Sequence, residues 1–218
     1  MQREIISTAD GSTTISIPEM KVTYHSTHGA IQESMHVFIE AGLRLFNHSD
    51  QMIHILEMGF GTGLNALLTL IETETPVHYT AIELYPLEQS KISSLNYCEK
   101  LGRSDLQPIF NQLHECEWEK DVPINKYFTL HKTKINLADF NTGKSIDLIY
   151  FDAFAPTAQP ELWTKEIFEK LYAMMNPGAM LVTYCSKGDV RRAMQAAGFT
   201  VHKLPGPPGK REMVRAII

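Results

Sequence analysis

The chain has 218 residues, 44% of them hydrophobic, and a formal net charge of −5, which allows one substantial core and leaves little for a second full domain. No apolar run approaches the roughly 20 residues that span a bilayer, and MQREIISTADGS lacks the charged-then-apolar layout of a signal peptide, so a cytoplasmic protein is expected. Cys98, Cys116 and Cys185 are odd in number, far apart and outside any C-x-x-C pair, which argues against a disulfide framework and a structural zinc site and predicts reduced, buried thiols with no bound metal.

In chain order, Thr13 to Ser26 alternates as a short hairpin broken near Pro18, and Ser34 to Phe46 has the apolar spacing of an amphipathic helix. These two elements form an expected extension over residues 1–50, ahead of a main domain over 51–218. The main domain opens with a strand at Ile53 to Met58, a glycine-rich turn, a helix at Leu64 to Glu72 and a second strand at Val77 to Leu84. Pro86 opens a helix to about Leu101, since a first turn tolerates a missing N–H.

Phe128 to Leu137 reads as a third strand and Ile146 to Phe151 as a fourth. Pro160 starts a helix that Asn176-Pro177-Gly178 stops, and a strand follows at Met180 to Tyr184. A helix from Gly188 to Ala197 leads to strands at Thr200 to Leu204 and Glu212 to Ile218, joined by the short loop Pro205-Gly206-Pro207-Pro208-Gly209. Strands alternating with helices pair in parallel through crossovers, giving a doubly wound, mostly parallel α/β sheet of Rossmann-like type. The last two strands have no helix between them and predict an antiparallel edge, which favours the methyltransferase variant over a dehydrogenase.

The first strand ends in Glu57-Met58-Gly59-Phe60-Gly61-Thr62-Gly63, directly before a helix. Glycines here let the backbone turn sharply and approach a ligand, and the setting between a buried strand and a helix points to a nucleotide-type cofactor. Glu83, followed by Leu84 at the end of the second strand, lies where a carboxylate accepts hydrogen bonds from both hydroxyls of a ribose. NAD and S-adenosylmethionine both carry that ribose. The turn continues with Asn65 and Ala66, without the third glycine that receives a pyrophosphate, which favours S-adenosylmethionine. Asp139, after the third strand, suits an adenine amino group and equally suits a loop cap.

Asp152 stands at the carboxyl end of the fourth strand, beside the switch point where open α/β sheets bind ligands. Methyl transfer is an in-line displacement from a sulfonium, so the protein chiefly positions the nucleophile and removes its surplus proton. A carboxylate at Asp152 can hold an incoming amine and take that proton, directly or through water. Phe154 and Pro156 offer a flat wall for a stacked base, or belong to the core. From Ser186 onward, seven basic residues stand against two acidic ones, whereas the chain as a whole is acidic. Such a tail is either a solvated face or a surface for nucleic acid.

Taken together, these segments resemble one family, the methyltransferase domain of MnmC-type enzymes, which completes 5-methylaminomethyl-2-thiouridine at the wobble position of tRNA. The likeness runs through Tyr24-His25-Ser26, Glu33-Ser34, Gly59 to Asn65, Glu83 with Pro86-Leu87, Phe151 to Pro156, and Pro160 to Thr164. It continues in Tyr184-Cys185-Ser186, Val190-Arg191-Arg192, Ala197 to Thr200 and Gly209-Lys210-Arg211-Glu212-Met213. The resemblance implies that Asp152 is the catalytic acid, that Glu83 binds the ribose, and that Tyr24 to Glu33 helps enclose the cofactor. It also implies that Lys187, Arg191, Arg192, Lys210 and Arg211 approach the tRNA backbone or anticodon loop. Two features depart from the family pattern. Ala153 follows Asp152 where glycine is expected, and the FAD-dependent oxidase domain of many members does not follow, so the chain reads as a stand-alone, MnmD-like form. A methyltransferase for another amine, small molecule or protein, is the alternative; an NAD-dependent dehydrogenase and a catalytically inert binding module are further ones.

Overall fold

In the computed structural model, which describes residues 2–46, 51–143 and 145–218, the chain opens with three antiparallel strands in the order β1 (Glu4–Ser7), β2 (Thr13–Ile17) and β3 (Val22–Thr23). The hairpin read from the sequence is β2 and β3, paired through Ser16↔Thr23 and Ile17↔Val22 across a 3-10 turn begun by Pro18. Strand β1 adds to it. The helix expected at Ser34 to Phe46 instead starts as α1 (Ala30–Ser34), continues with π winding over Met35–Glu40, and gives way to a separate turn at Leu43–Leu45. Gly42 makes that break at φ −120° and ψ −84°, where an added Cβ would lie 2.6 Å from the Phe38 carbonyl oxygen. The domain boundary expected at residue 50 lies outside the described residues.

The main sheet follows with β4 (Ile53–Met58), α2 (Leu64–Glu72) and β5 (Val77–Ile82), every residue of β5 being buried. The single helix expected from Pro86 to Leu101 is two short ones, α3 (Gln89–Ile92) and α4 (Tyr97–Lys100). Asn96 interrupts it, because its amide is committed to the N-terminal sheet: Oδ1 accepts from the Thr13 N–H at 2.8 Å and Nδ2 donates to the Gly11 carbonyl at 3.1 Å. Helix α5 (Gln107–Glu115) and the edge strand β6 (Asp121–Asn125) were not expected from the sequence. Strand β7 (Phe128–Thr133) stops four residues short of Leu137, and the remainder is loop.

Beyond β8 (Ile146–Phe151), the helix expected from Pro160 is a 3-10 turn over Pro160–Trp163 followed by α6 (Lys165–Ala173), whose first turn Thr164 caps through Oγ1 and the Ile167 N–H at 3.4 Å. Asn176-Pro177-Gly178 is not a helix stop but lies within β9 (Met175–Thr183), where the pairing with β8 is irregular between Ile146 and Leu148. Helix α7 (Gly188–Ala196) and strands β10 (Thr200–Pro205) and β11 (Glu212–Ile217) close the chain.

The sheet order is β10-β11-β9-β8-β4-β5-β7-β6. Strands β9, β8, β4, β5 and β7 run parallel, while β11, β10 and β6 pair antiparallel at the two sides. One apolar layer gathers α2, α5 and the N-terminal helix on one face, and another gathers α6 and α7 on the opposite face. Phe151, for example, meets Trp163 edge-on at 4.9 Å and Phe168 at 5.4 Å. Each such buried side chain stabilises the fold by about 1.5–3 kcal/mol. From β4 the connections run to opposite sides, through α2 to β5 and, later in the chain, to β8. The reversal opens a crevice at the carboxyl ends of β4 and β8. Among the described residues no helix is long and apolar enough to cross a membrane, and no group of three or more His, Cys, Asp or Glu could hold a metal ion. Cys98 and Cys185 are buried free thiols; Cys116, expected to be buried, is only partly so.

Candidate active site

A cavity of about 680 Å³ occupies the crevice, within the range of about 300–1,000 Å³ typical of small-molecule sites. Its floor is the turn after β4. Gly59, Gly61 and Gly63 take φ of 91°, 48° and 72°, and a Cβ on Gly61 would come within 3.0 Å of the Tyr24 ring. The turn is braced from three sides. Glu83 Oε2 accepts the Gly61 N–H at 2.9 Å while Oε1 accepts the Tyr85 N–H at 2.8 Å. His25 Nε2 meets Thr62 Oγ1 at 2.8 Å, and His114 Nε2 donates to the Thr62 carbonyl at 3.1 Å. Burial lowers both histidines to about pH 4, so each is neutral at pH 7. Two backbone N–H groups therefore fix the Glu83 carboxylate, and each oxygen keeps a lone pair for a ligand.

Asp152 lies one residue beyond β8, and Asn65 in the first turn of α2. The two hydrogens of Asn65 Nδ2 serve Glu57 Oε1 and Asp152 Oδ2, both at 2.9 Å. Glu57 is fully buried, and desolvation first, then the charge of Asp152, pushes its carboxyl well above the ordinary range. Asn65 Oδ1 has no hydrogen-bond partner, a costly state for a buried polar atom. Asp152 is raised to about 7, first by desolvation and next by the negative charge of Glu33; Asn65 and Lys210 act in the opposite direction. The carboxyl at 152 is thereby matched to proton transfer near neutrality.

Of the residues singled out in the sequence, Tyr24, Gly59, Phe60, Gly61, Thr62, Asn65, Glu83, Leu84, Asp152 and Phe154 line the cavity. Phe154 meets Tyr24 edge-on at 5.2 Å, and its carbonyl accepts from Trp163 Nε1 at 2.8 Å. Glu57 and Gly63 support the floor from behind. Glu33, Pro156, Lys187, Arg191, Arg192, Lys210 and Arg211 lie outside the cavity wall.

Asp139 is also outside. The loop after β7 turns at Asn136, whose carbonyl accepts the N–H groups of Asp139 and Phe140, and the turn carries Asp139 to the exposed side. Asn136 and Leu137 face the cavity in its place. Arg3 and Gln159 line it as well. Arg3 donates to the carbonyls of Tyr85 at 2.7 Å and Pro86 at 3.0 Å, tying the N-terminal sheet to the rim, and no local sequence signal marks that contact.

The basic residues differ among themselves. Lys187, Arg192 and Arg211 are exposed, and Arg191 Nε donates to the Ser186 carbonyl at 3.2 Å. Arg192 pairs with Asp189 on the surface of α7. Lys210 turns inward, its Nζ 2.5 Å from Glu33 Oε1.

The cavity suits S-adenosylmethionine. The glycine turn leaves space that a Cβ would fill, Glu83 presents a carboxylate at the end of the second parallel strand, and Asn65, whose Oδ1 is unpartnered, lines the cavity beside Asp152.

Comparison with known proteins gives the same picture. The bifunctional protein MnmC of tRNA 5-methylaminomethyl-2-thiouridine biosynthesis from Cupriavidus metallidurans is 32% identical over 91% of this chain and 32% of its own length. Its namesake from Magnetococcus marinus is 32% identical over 90% of this chain and 31% of its own. The chain thus spans about a third of the length of these relatives. The crystal structure of MnmC2 from Aquifex aeolicus shares the fold, with a TM-score of 0.76 at 24% identity, over 99% of this chain and 70% of that one. A model of one methyltransferase family matches residues 102–218, more than half the sequence. The chain therefore belongs to this family of S-adenosyl-L-methionine-dependent methyltransferases.

Proposed function

We propose that the chain transfers a methyl group to the amino nitrogen of a 5-aminomethyluridine, with or without a 2-thio group, at the wobble position of tRNA. The observation that carries this reading is the position of the Asp152 carboxyl, at the cavity wall beside the glycine turn and held by Asn65 Nδ2 at 2.9 Å. An alkylammonium attacks only after losing a proton, and a carboxyl titrating near 7 accepts that proton better than an ordinary aspartate. The names of the relatives supply the substrate class.

In this reading the bound S-adenosylmethionine supplies an electrophilic methyl group. Glu83 would accept from the ribose hydroxyls, Asn136 and Leu137 would line the same pocket, and the glycine turn would let the backbone approach the ligand. Asn65 holds the Asp152 carboxylate still, so that its free lone pairs face the acceptor. Phe154, braced by Tyr24 and Trp163, gives a flat edge on which a flipped uridine stacks, at about 1–3 kcal/mol per base. Lys187, Arg191, Arg192 and Arg211 lie on or beside α7 and the β10–β11 loop and are assigned to tRNA phosphates. In this reading the chain acts in the cytoplasm.

Undermodified tRNA, a mixture of small amines and a methyl-labelled cofactor, each offered to the enzyme, test the assignment. Label entering tRNA supports it. Label entering only the small amines points to the alternative acceptor class.

A further inference from the structure

Resting on that reading, a second chemical group beside Asp152 identifies what the acceptor side recognises. Glu33, Tyr184 and Lys210 come from α1, the residue after β9 and the β10–β11 loop, and none of them lines the cofactor cavity. All three nevertheless sit within electrostatic reach of Asp152. The geometric link is the Tyr184 hydroxyl, which donates to the carbonyl of Ala153 at 2.9 Å, so the group adjoins the cavity wall at the residue after Asp152.

The group has the composition of an alkylammonium site. Glu33 is buried, and the Ser26 N–H fixes its Oε2 at 2.6 Å, so its position is set by the backbone. Such an acid needs a cation. The ring of Tyr184 presents its face, and its hydroxyl is tied to the Ala153 carbonyl at 2.9 Å, next to Asp152. Lys210 Nζ sits 3.8 Å over that ring and 2.5 Å from Glu33 Oε1. An acid and an aromatic face together recognise a primary alkylammonium. Lysine carries that group, and an aminomethyl substituent carries the same group on a shorter stem.

The two partners differ in freedom. The Glu33 side chain is 8% exposed and that of Lys210 33%. The acid is fixed, while the cation reaches in from a Pro-Gly loop and has solvent at its back.

We propose that Glu33, the Tyr184 ring and Asp152 form the subsite for the acceptor's primary alkylammonium, and that Lys210 fills it as an internal stand-in until the acceptor displaces it. Lys210 then swings outward, where its charge meets the incoming phosphates.

Binding of n-propylammonium to the enzyme saturated with S-adenosylhomocysteine, followed by NMR saturation transfer, tests this without relying on turnover; n-propanol is the uncharged control. Lys210→Gln should bind n-propylammonium at least about tenfold more tightly than the wild type. The double variant Lys210→Gln/Glu33→Gln should lose that gain, and none of the proteins should favour n-propanol. Calorimetry with S-adenosylhomocysteine confirms that each variant is folded, and Lys210→Met replaces Lys210→Gln should the latter not fold. Equal amine binding in wild type and the Lys210 variant, or a gain that survives loss of Glu33, would overturn the subsite. Wild-type methylation of tRNA is assayed in parallel. The expected amine binding without label in tRNA leaves the subsite standing and removes the acceptor assignment; label in tRNA without the gain removes the subsite alone.

Discussion

Replacing Asp152 by asparagine should remove activity and, above about pH 5, make the protein more stable. The amide keeps an oxygen to accept from Asn65 Nδ2, so the change is confined to the charge. The carboxyl at 152 is raised from 3.8 to about 7, so the folded wild type holds a proton that the unfolded chain has released. Between those values the stability of the wild type falls as pH rises. Three pH units at about 1.4 kcal/mol each give about 4 kcal/mol, and the opening of Asp152 to the solvent-accessible cavity reduces this to about 2 kcal/mol. For a chain of this size that is a rise in Tm of about 4–8 °C. Thermal unfolding of both proteins at pH 8 and at pH 3.5 measures it. The variant should be the more stable at pH 8 and equal at pH 3.5, with cofactor binding retained and methyl transfer down by a factor of about 10²–10⁴. A variant less stable than wild type at pH 8, or an advantage independent of pH, would refute the assignment of a strained buried carboxylate.

Glu83→Gln should weaken cofactor binding about 10- to 100-fold by calorimetry, since charge-assisted hydrogen bonds contribute about 1.5–3 kcal/mol. Asn65→Ala removes the hydrogen bond that lowers the Asp152 pKa, so the midpoint of the kcat/KM–pH profile should move upward from about 7. In the wild type, kcat/KM should rise with pH through about 7 as the carboxylate forms. Gly63→Ala places a Cβ 2.8 Å from His114 Nε2 at a φ of 72°; it should cost about 1–3 kcal/mol of stability in urea unfolding.

The glycine-lined floor of the cavity was legible because its determinants are local: an apolar strand, three glycines and a helix start lie within a dozen residues, and Glu83 follows at the end of the next buried strand. Asp152 was legible for the same reason. What the sequence left unread depends on distant partners. Asp139 and Asn136 are three residues apart in one loop, and only the turn at Asn136 decides which of them faces the cavity. Lys210 reads as a phosphate contact in a basic tail, but its counterion is 177 residues away in α1. The helix expected after Pro86 has a sound local pattern, yet Asn96 bonds to Thr13 and Gly11 instead, and the tertiary contact overrides propensity. Arg3, the residue before β1, reaches the cavity rim and was missed, since a single arginine ahead of a short strand carries no signal of its own.

The most direct test of the proposed chemistry is mass analysis of nucleosides from tRNA carrying 5-aminomethyl-2-thiouridine, after incubation with the enzyme and S-adenosylmethionine. One methyl should appear on that nucleoside with wild-type protein, and about 10²- to 10⁴-fold more slowly with Asp152→Asn. Unmodified aminomethyl nucleoside in a reaction where the cofactor is shown to bind, or equal methylation by the variant, would contradict the account.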